Sequence, residues 1–358
     1  MFKINFNDAN ALVVWYDKNK RELPWRDTGN AYDVWLSEVM LQQTRIEAVR
    51  PKFTAIKQAL PTIHDLAACE DDRFMRLWEG LGYYSRARNI LKCARVLCEL
   101  YSGKLPEDYN LLLKLPGIGP YTAGAIASIA YGIAAPAVDG NVLRVLARYH
   151  EDDRDVRSPL IRKEAEQAVM TLFQEKQEPH FVSSFNQGLM ELGETVCIPN
   201  GTPLCDQCPL MPHCKAYQNK TYDKIPYRSA LKQRKVIHRT LCIIRDGNSF
   251  LLHKRDQTGL LAGLYEFIGI DRTLTKQEVI DICEAHSIHV LRIKPLPKAK
   301  HVFTHLEWHM TAYEILTGEL ELPHDTSYVL ASKKELAHMA VPSAFKTYLD
   351  WYTLRDQP

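Results

Sequence analysis

Two carboxylates, a glycine turn and a cluster of cysteines are the residues whose types and spacing could do chemistry. Glu38 shares one face of a helical segment with Ala31, Val34, Trp35, Leu41 and Gln42, so a carboxylate sits within an otherwise apolar stripe. Desolvation there disfavours the ionised form, and a raised pKa is expected. A carboxyl that stays protonated near neutrality can act as a general acid. The same placement also suits a buried structural carboxylate paired with Arg45 or Arg86. Asp139 opens Asp139-Gly140-Asn141 ahead of Val142, Leu143, Val145 and Leu146, which reads as a helix start with Asp as N-cap. A capping Asp accepts backbone N–H bonds and stays ionised. The two groups would then be pushed apart, Glu38 protonated and Asp139 charged. Glycoside cleavage asks for that arrangement: an acid for the leaving group and an anion for an oxocarbenium-like centre.

Between them lies Leu115-Pro116-Gly117-Ile118-Gly119-Pro120-Tyr121-Thr122-Ala123-Gly124, a Pro-Gly-x-Gly turn that follows an apolar segment and opens an Ala-rich helix. Gly117 and Gly119 allow a tight hairpin. They also let backbone N–H groups point outward at a helix N-terminus, where an anion such as a DNA phosphate is favoured. An ordinary helix–helix turn has the same composition. Farther on, Cys197, Cys205, Cys208 and Cys214 form C-x7-C-x2-C-x5-C in a loop rich in Pro and Gly. So short a loop cannot build its own apolar core, and a metal centre is the natural staple. Four thiolates fit a 4Fe–4S cluster or a four-thiolate zinc site, and spacing leaves both open. Cys69, Cys93, Cys98, Cys242 and Cys283 read as core residues.

The elements that must position these groups fall into two kinds. The first two hundred residues read as about ten helices: one around Leu12, Val13 and Tyr16, then Ala31–Ile46, Pro51–Leu60, Asp71–Trp78, Tyr84–Tyr101, Tyr121–Tyr131, Val142–Tyr149, Pro159–Phe173 and Phe181–Leu192. Lys224 to Arg239 holds six Lys or Arg and no acid, and reads as an exposed basic linker. Strands are expected at Val236–Arg245, Ser249–Lys254, Gly263–Ile268, Val290–Ile293, His301–Phe303 and Glu307–Leu316, with Asp246-Gly247-Asn248 as a hairpin turn. Helices are expected at Lys276–His286, Lys333–Met339 and Ser343–Tyr352. The chain therefore divides into a helical domain (1–217), a basic linker (218–237) and an α+β domain (238–358). Its 358 residues, 46% hydrophobic and 25% charged, are those of a globular protein with ample core. The net charge of +2 does not by itself announce nucleic acid. No apolar run is long enough to span a membrane, and Met1 to Lys20 lacks a signal-peptide layout. The expected place is the cytoplasm, at the nucleoid in a bacterial cell.

Taken in order, these features resemble the helix-hairpin-helix DNA glycosylases of the iron–sulfur branch, and within it the adenine DNA glycosylases of the MutY type. The resemblance is carried by Leu115–Gly119 and Asp139, by Leu23-Pro24-Trp25-Arg26, by Ser37-Glu38-Val39-Met40-Leu41-Gln42-Gln43-Thr44 and by Gly80-Leu81-Gly82-Tyr83-Tyr84-Ser85-Arg86. The cysteine loop, Gly259–Tyr265 and Phe303-Thr304-His305 add to it.

The resemblance implies a monomer that acts on double-stranded DNA and removes adenine opposite 8-oxoguanine or guanine. Glu38 would protonate the adenine and Asp139 would stabilise the oxocarbenium ion, with Tyr121 and Asn141 beside them. Arg26, Leu41 and Gln187 would line the adenine pocket, and Gln43 and Tyr83 would act as wedges in the base stack. The cysteines would hold a 4Fe–4S cluster. The second domain would be Nudix-like and read 8-oxoguanine through Phe303, Thr304 and His305, without the acidic helix that Nudix hydrolysis needs. Related lyases carry a Lys where this chain has Tyr121, and a Lys there forms a Schiff base and nicks the strand. Tyr cannot, so a monofunctional enzyme is expected. Two positions depart from the family pattern. Thr304 replaces the usual Ser, and the first cysteine gap is seven residues rather than six.

Overall fold

The computed structural model describes residues 2–230, 233–318, 320, 322 and 327–353. These form two compact units, one from the described residues of 1–69 and 88–230, the other from those of 70–87 and 231–358. The boundaries differ from the sequence-based division at two places. Residues 70–87 group with the C-terminal part, and 218–230 group with the helical part. Within the helical unit Ile225 is buried against Ala147 and Val156, and Arg148 Nε donates to the Ile225 carbonyl at 2.8 Å. The first half of the expected linker is therefore packed.

The helical unit contains α1 (Phe6–Asn19), α2 (Ala31–Leu41), α3 (Ile46–Ala59), α4 (Ile63–Ala68), the main part of a helix spanning Tyr84–Tyr101, and further helices up to Lys215–Gln218. Polar caps start several of them, Asn5 on α1 and Asn30 on α2 each accepting from the N–H two residues on. The expected helix Ala31–Ile46 stops at Leu41. Gln43 takes a left-handed conformation (φ 55°), and α3 begins at Ile46 and carries Pro51 inside it. The core gathers Leu12, Val13, Val142, Leu146, Phe173, Phe181 and Phe185.

In the C-terminal unit α5 (Asp71–Leu77) leads to a loop and to the first turn of α6 (Tyr84–Tyr101). A six-stranded mixed sheet follows, made of β1 (Lys235–Asp246), β2 (Ser249–Lys254), β3 (Tyr265–Ile270), β4 (Val290–Val302), β5 (Leu306–Thr317) and β6 (Tyr328–Ser332), in the order β4-β5-β1-β3-β2-β6. β1 and β5 run parallel and the other pairs antiparallel. Two expected strands are one: β4 runs from Val290 to Val302 through irregular pairing near Leu296 to Ala299. β6 was not expected, since five residues are too short for a period to show. Trp308, Phe267 and Phe345 centre the core on one face, Ile315, Val279 and Cys283 that on the other. Lys254 ion-pairs with Asp72 at 3.1 Å, and Arg76 donates to the His338 carbonyl at 2.7 Å, which ties residues 70–87 to this unit. No helix among the described residues is long and apolar enough to cross a membrane.

Candidate active site

A cleft of about 730 Å³ opens in the helical unit. It is within the range that small-molecule sites occupy. Glu38 comes from α2. Tyr121 comes from α7 (Pro120–Ala125), which continues as a π-helical turn over Ile126–Ala130. Asp139 and Asn141 come from the start of α8 (Gly140–His150), and Gln187 from a long helix, α10 (Pro179–Thr195), reached through α9 (Pro159–Glu175). Arg26, Leu41, Gln43, Gly117 and Gly119 line the same cleft.

Glu38 is 8% exposed. Its Oε2 accepts the Tyr121 hydroxyl at 2.5 Å. Burial pushes its pKa up to about 7, the Asp139 charge adds to the rise, and the Tyr121 bond and the Arg26 charge oppose it. The partner is thus a phenol, where an ion pair with Arg45 or Arg86 was the alternative. Arg86 instead donates to the Leu81 carbonyl at 2.9 Å in the C-terminal unit. Burial, with the Glu38 and Asp139 charges behind it, holds the Tyr121 pKa well above its ordinary value, so the phenol remains the donor.

Asp139 caps α8 as expected, its Oδ1 accepting the Val142 N–H at 2.8 Å. Its pKa nevertheless moves up. Burial lifts it, while the Val142 and Asn141 hydrogen bonds and the Arg144 charge hold it down. The expectation that capping alone would set its ionisation omitted the desolvation. Asn141 Nδ2 donates to Asp139 Oδ2 at 3.0 Å, and Asn141 Oδ1 accepts from Arg144 at 2.8 Å. Arg144 also donates to the Gly193 and Cys197 carbonyls, at 2.7 and 2.9 Å. A chain of hydrogen bonds therefore joins Asp139 to the head of the cysteine loop.

Arg26 packs over the Tyr16 ring and ion-pairs with Glu191 at 2.9 Å; Arg21 pairs with the same carboxylate at 2.6 Å. Gln187 Oε1 accepts from the Tyr16 hydroxyl at 2.8 Å. Glu191, Arg21 and Tyr16 were not among the expected site residues. Glu191 carried the same signal as Glu38, an acid within a buried helical run beside Leu189 and Leu192. Gly117 needs its freedom twice. Its φ is +75°, and a Cβ there would lie 2.5 Å from Asn89 Cβ. Gly119 caps α7, with open space where a Cβ would be.

Cys197, Cys205, Cys208 and Cys214 line one cavity, walled by Val196, Pro203, Met211, Tyr217 and Tyr222 and touched by Arg148. The long first gap folds back on itself, the Leu204 N–H donating to the Val196 carbonyl at 3.0 Å, and all four cysteines still line the cavity. None is in a disulfide. Four cysteines around one cavity are a donor set that a metal centre could use.

The remaining candidates belong to the C-terminal unit. Phe303-Thr304-His305 is the tight turn between β4 and β5, closed by the Phe303 N–H on the Leu306 carbonyl at 2.8 Å. The Phe303 ring sits between His301 and Trp308, at 4.6 and 4.9 Å. Arg234 Nε and the Lys235 N–H brace the turn at the Phe303 and His305 carbonyls, at 3.1 and 3.3 Å. Thr304 Oγ1 lies 2.7 Å from the hydroxyl of Tyr83, which stands in a left-handed conformation. Tyr83 and Thr304 are thereby brought together.

Residues 36–171 match the HhH-GPD superfamily of base excision DNA repair proteins, and residues 240–351 match the NUDIX domain. Over 84% of this chain and 85% of the relative, the sequence is 34% identical to an adenine DNA glycosylase of Buchnera aphidicola subsp. Schizaphis graminum. It is 35% identical to an adenine DNA glycosylase of Arabidopsis thaliana over 83% of this chain, and spans 55% of that relative's length. The fold is similar to that of a thermostable thymine-DNA glycosylase, with a TM-score of 0.52 and 25% identity over 59% of this chain and 95% of that one. By these likenesses the chain belongs to the adenine DNA glycosylase family.

Proposed function

We propose that the chain is a monofunctional adenine DNA glycosylase of base excision repair. Acting as a monomer on double-stranded DNA, it hydrolyses the N-glycosidic bond of adenine mispaired with 8-oxoguanine or guanine and leaves an abasic site. One observation carries this reading: a single cleft holds a carboxyl raised to about 7 and bonded to a phenol, beside a capped carboxylate.

The glycosidic bond is out of reach inside the base stack, so the adenine must be flipped out, which costs a few kcal/mol and less at a mispair. Protonated Glu38 delivers its proton to the departing base, and the resulting carboxylate then assists water. Asp139, oriented by Asn141, faces the developing positive sugar. Arg26, Leu41 and Gln187 shape the base pocket. The hairpin N–H groups at Gly117 and Gly119 meet a phosphate, and Gln43 and Tyr83 fill or part the stack. Tyr121 offers no amine for a Schiff base, so the strand is left uncut. In the C-terminal unit Phe303, Thr304 and His305 read the 8-oxoguanine. The helix Lys276–Ala285 lacks the acidic run that Nudix hydrolysis needs, which supports a module that binds and does not hydrolyse. Cys197, Cys205, Cys208 and Cys214 would hold a 4Fe–4S cluster, which when bound supplies a rigid staple for the loop that Arg144 joins to Asp139.

The test is one incubation with duplexes carrying adenine opposite 8-oxoguanine, guanine or thymine, each analysed with and without alkali. Alkali-dependent cleavage opposite 8-oxoguanine and guanine is expected. Nicking without alkali, or equal release opposite thymine, would overturn the proposal.

A further inference from the structure

We propose that Arg162 is a phosphate-binding residue at the edge of the cleft, gripping the backbone of the strand whose adenine enters it; this rests on the cleft being a glycosylase site. The cleft is acidic, with Glu38, Asp139, Glu166, Glu191 and Glu194 among its lining residues. A nucleotide entering it needs a cation for its phosphate. Arg21 and Arg26 both ion-pair with Glu191. Arg162, one turn into α9, is placed differently. It is exposed yet lines the cleft, and its Nη1 donates to the Val138 carbonyl, the residue before Asp139. That bond aims the guanidinium alongside the segment leading to Asp139. It engages one of five N–H donors and leaves the fork geometry that suits a phosphate. Glu166, one turn along the same helix, is close enough to feel the Arg162 charge, which opposes the rise that burial gives its carboxyl. The hairpin glycines Gly117 and Gly119 line the same cleft, so peptide N–H groups and a guanidinium open onto one space.

The test uses the full chain and a duplex bearing a tetrahydrofuran abasic analogue opposite 8-oxoguanine, titrated across a range of salt. Arg162→Gln weakens binding and reduces the slope of log affinity against log salt by about one. Arg162→Lys restores most of the slope. Lys163→Gln removes the same charge from an exposed neighbour that does not line the cleft, and keeps the wild-type slope. A wild-type slope for Arg162→Gln, with single-turnover adenine release lowered instead, would make Arg162 only a brace for Val138 and overturn the proposal. Failure of the glycosylase reading is separate: the wild-type chain would then release no adenine from any mispair.

Discussion

At the residue scale, function and stability both favour the protonated form of Glu38. As a general acid it must be protonated, so base release should fall as pH rises through about 7. Tyr121 donates to the carboxylate and holds that value down, so Tyr121→Phe should move the basic limb of the pH–rate profile upward, whatever it does to the maximum rate. A limb that stays in place or moves down would show that Glu38 does not set it. The folded value stands above the ordinary 4.5, so the folded chain binds the extra proton between about 4.5 and about 7. The associated stability is complete below that window and is lost as pH rises through it, by about 3 kcal/mol. Glu38→Gln is neutral at every pH. It should abolish adenine release, keep most mispair binding, and melt higher than wild type at about pH 8 but not at about pH 4. Equal melting differences at both pH values would contradict the desolvation argument. The burial and raised pKa of Glu38 were legible because an acid in an apolar helical stripe is a local pattern. The direction of the Asp139 shift was not, because capping bonds are local whereas desolvation depends on what the rest of the fold packs around the group.

At the scale of elements, the two hairpin glycines look alike in sequence and differ in structure. Gly117 combines positive φ with a close approach to Asn89, whereas Gly119 is extended and faces open space. Gly117→Ala should therefore destabilise the chain by about 2 kcal/mol or more, through both strain and overlap. Gly119→Ala should melt within a degree or two of wild type yet bind mispaired duplex more weakly, because a methyl group would stand where the backbone meets a phosphate. Equal melting of the two variants would sink this distinction. Helix existence was legible from period for the longer helices of the first unit, whereas the short helices Ile63–Ala68, Tyr109–Leu112 and Lys215–Gln218 were not expected. The break at Gln43 was not, since Gln42-Gln43-Thr44-Arg45 contains neither Gly nor Pro and nothing local forbids the helix from continuing. The same holds for the sheet. The turn Asp246-Gly247-Asn248 announced the β1–β2 hairpin, but the long parallel pairing of β1 with β5 spans residues some seventy apart and leaves no local mark.

At the scale of the molecule, chain order and compact structure disagree over residues 70–87. In sequence this segment lies inside the helical half, and Asp71–Trp78 reads as one more helix of it. In structure Asp72 meets Lys254, Arg76 meets the His338 carbonyl, and Tyr83 meets Thr304. These partners lie 182, 262 and 221 residues away, so no periodicity could announce them. A chain ended at Ala230 removes all three while leaving the Leu12, Val142 and Phe173 core and the cleft residues in place. On the proposed reading, such a chain should still release adenine opposite guanine and release it no better opposite 8-oxoguanine, since Phe303, Thr304 and His305 are gone. Its 70–87 segment should also become the first site of tryptic cutting, at Arg73, Arg76 or Arg86, whereas the full chain resists there. The two readouts separate two ideas. Lost preference with 70–87 still protected would mean that the helical unit holds the segment by itself. New cutting with preference retained would mean that the Phe303–His305 turn does not read the opposite base.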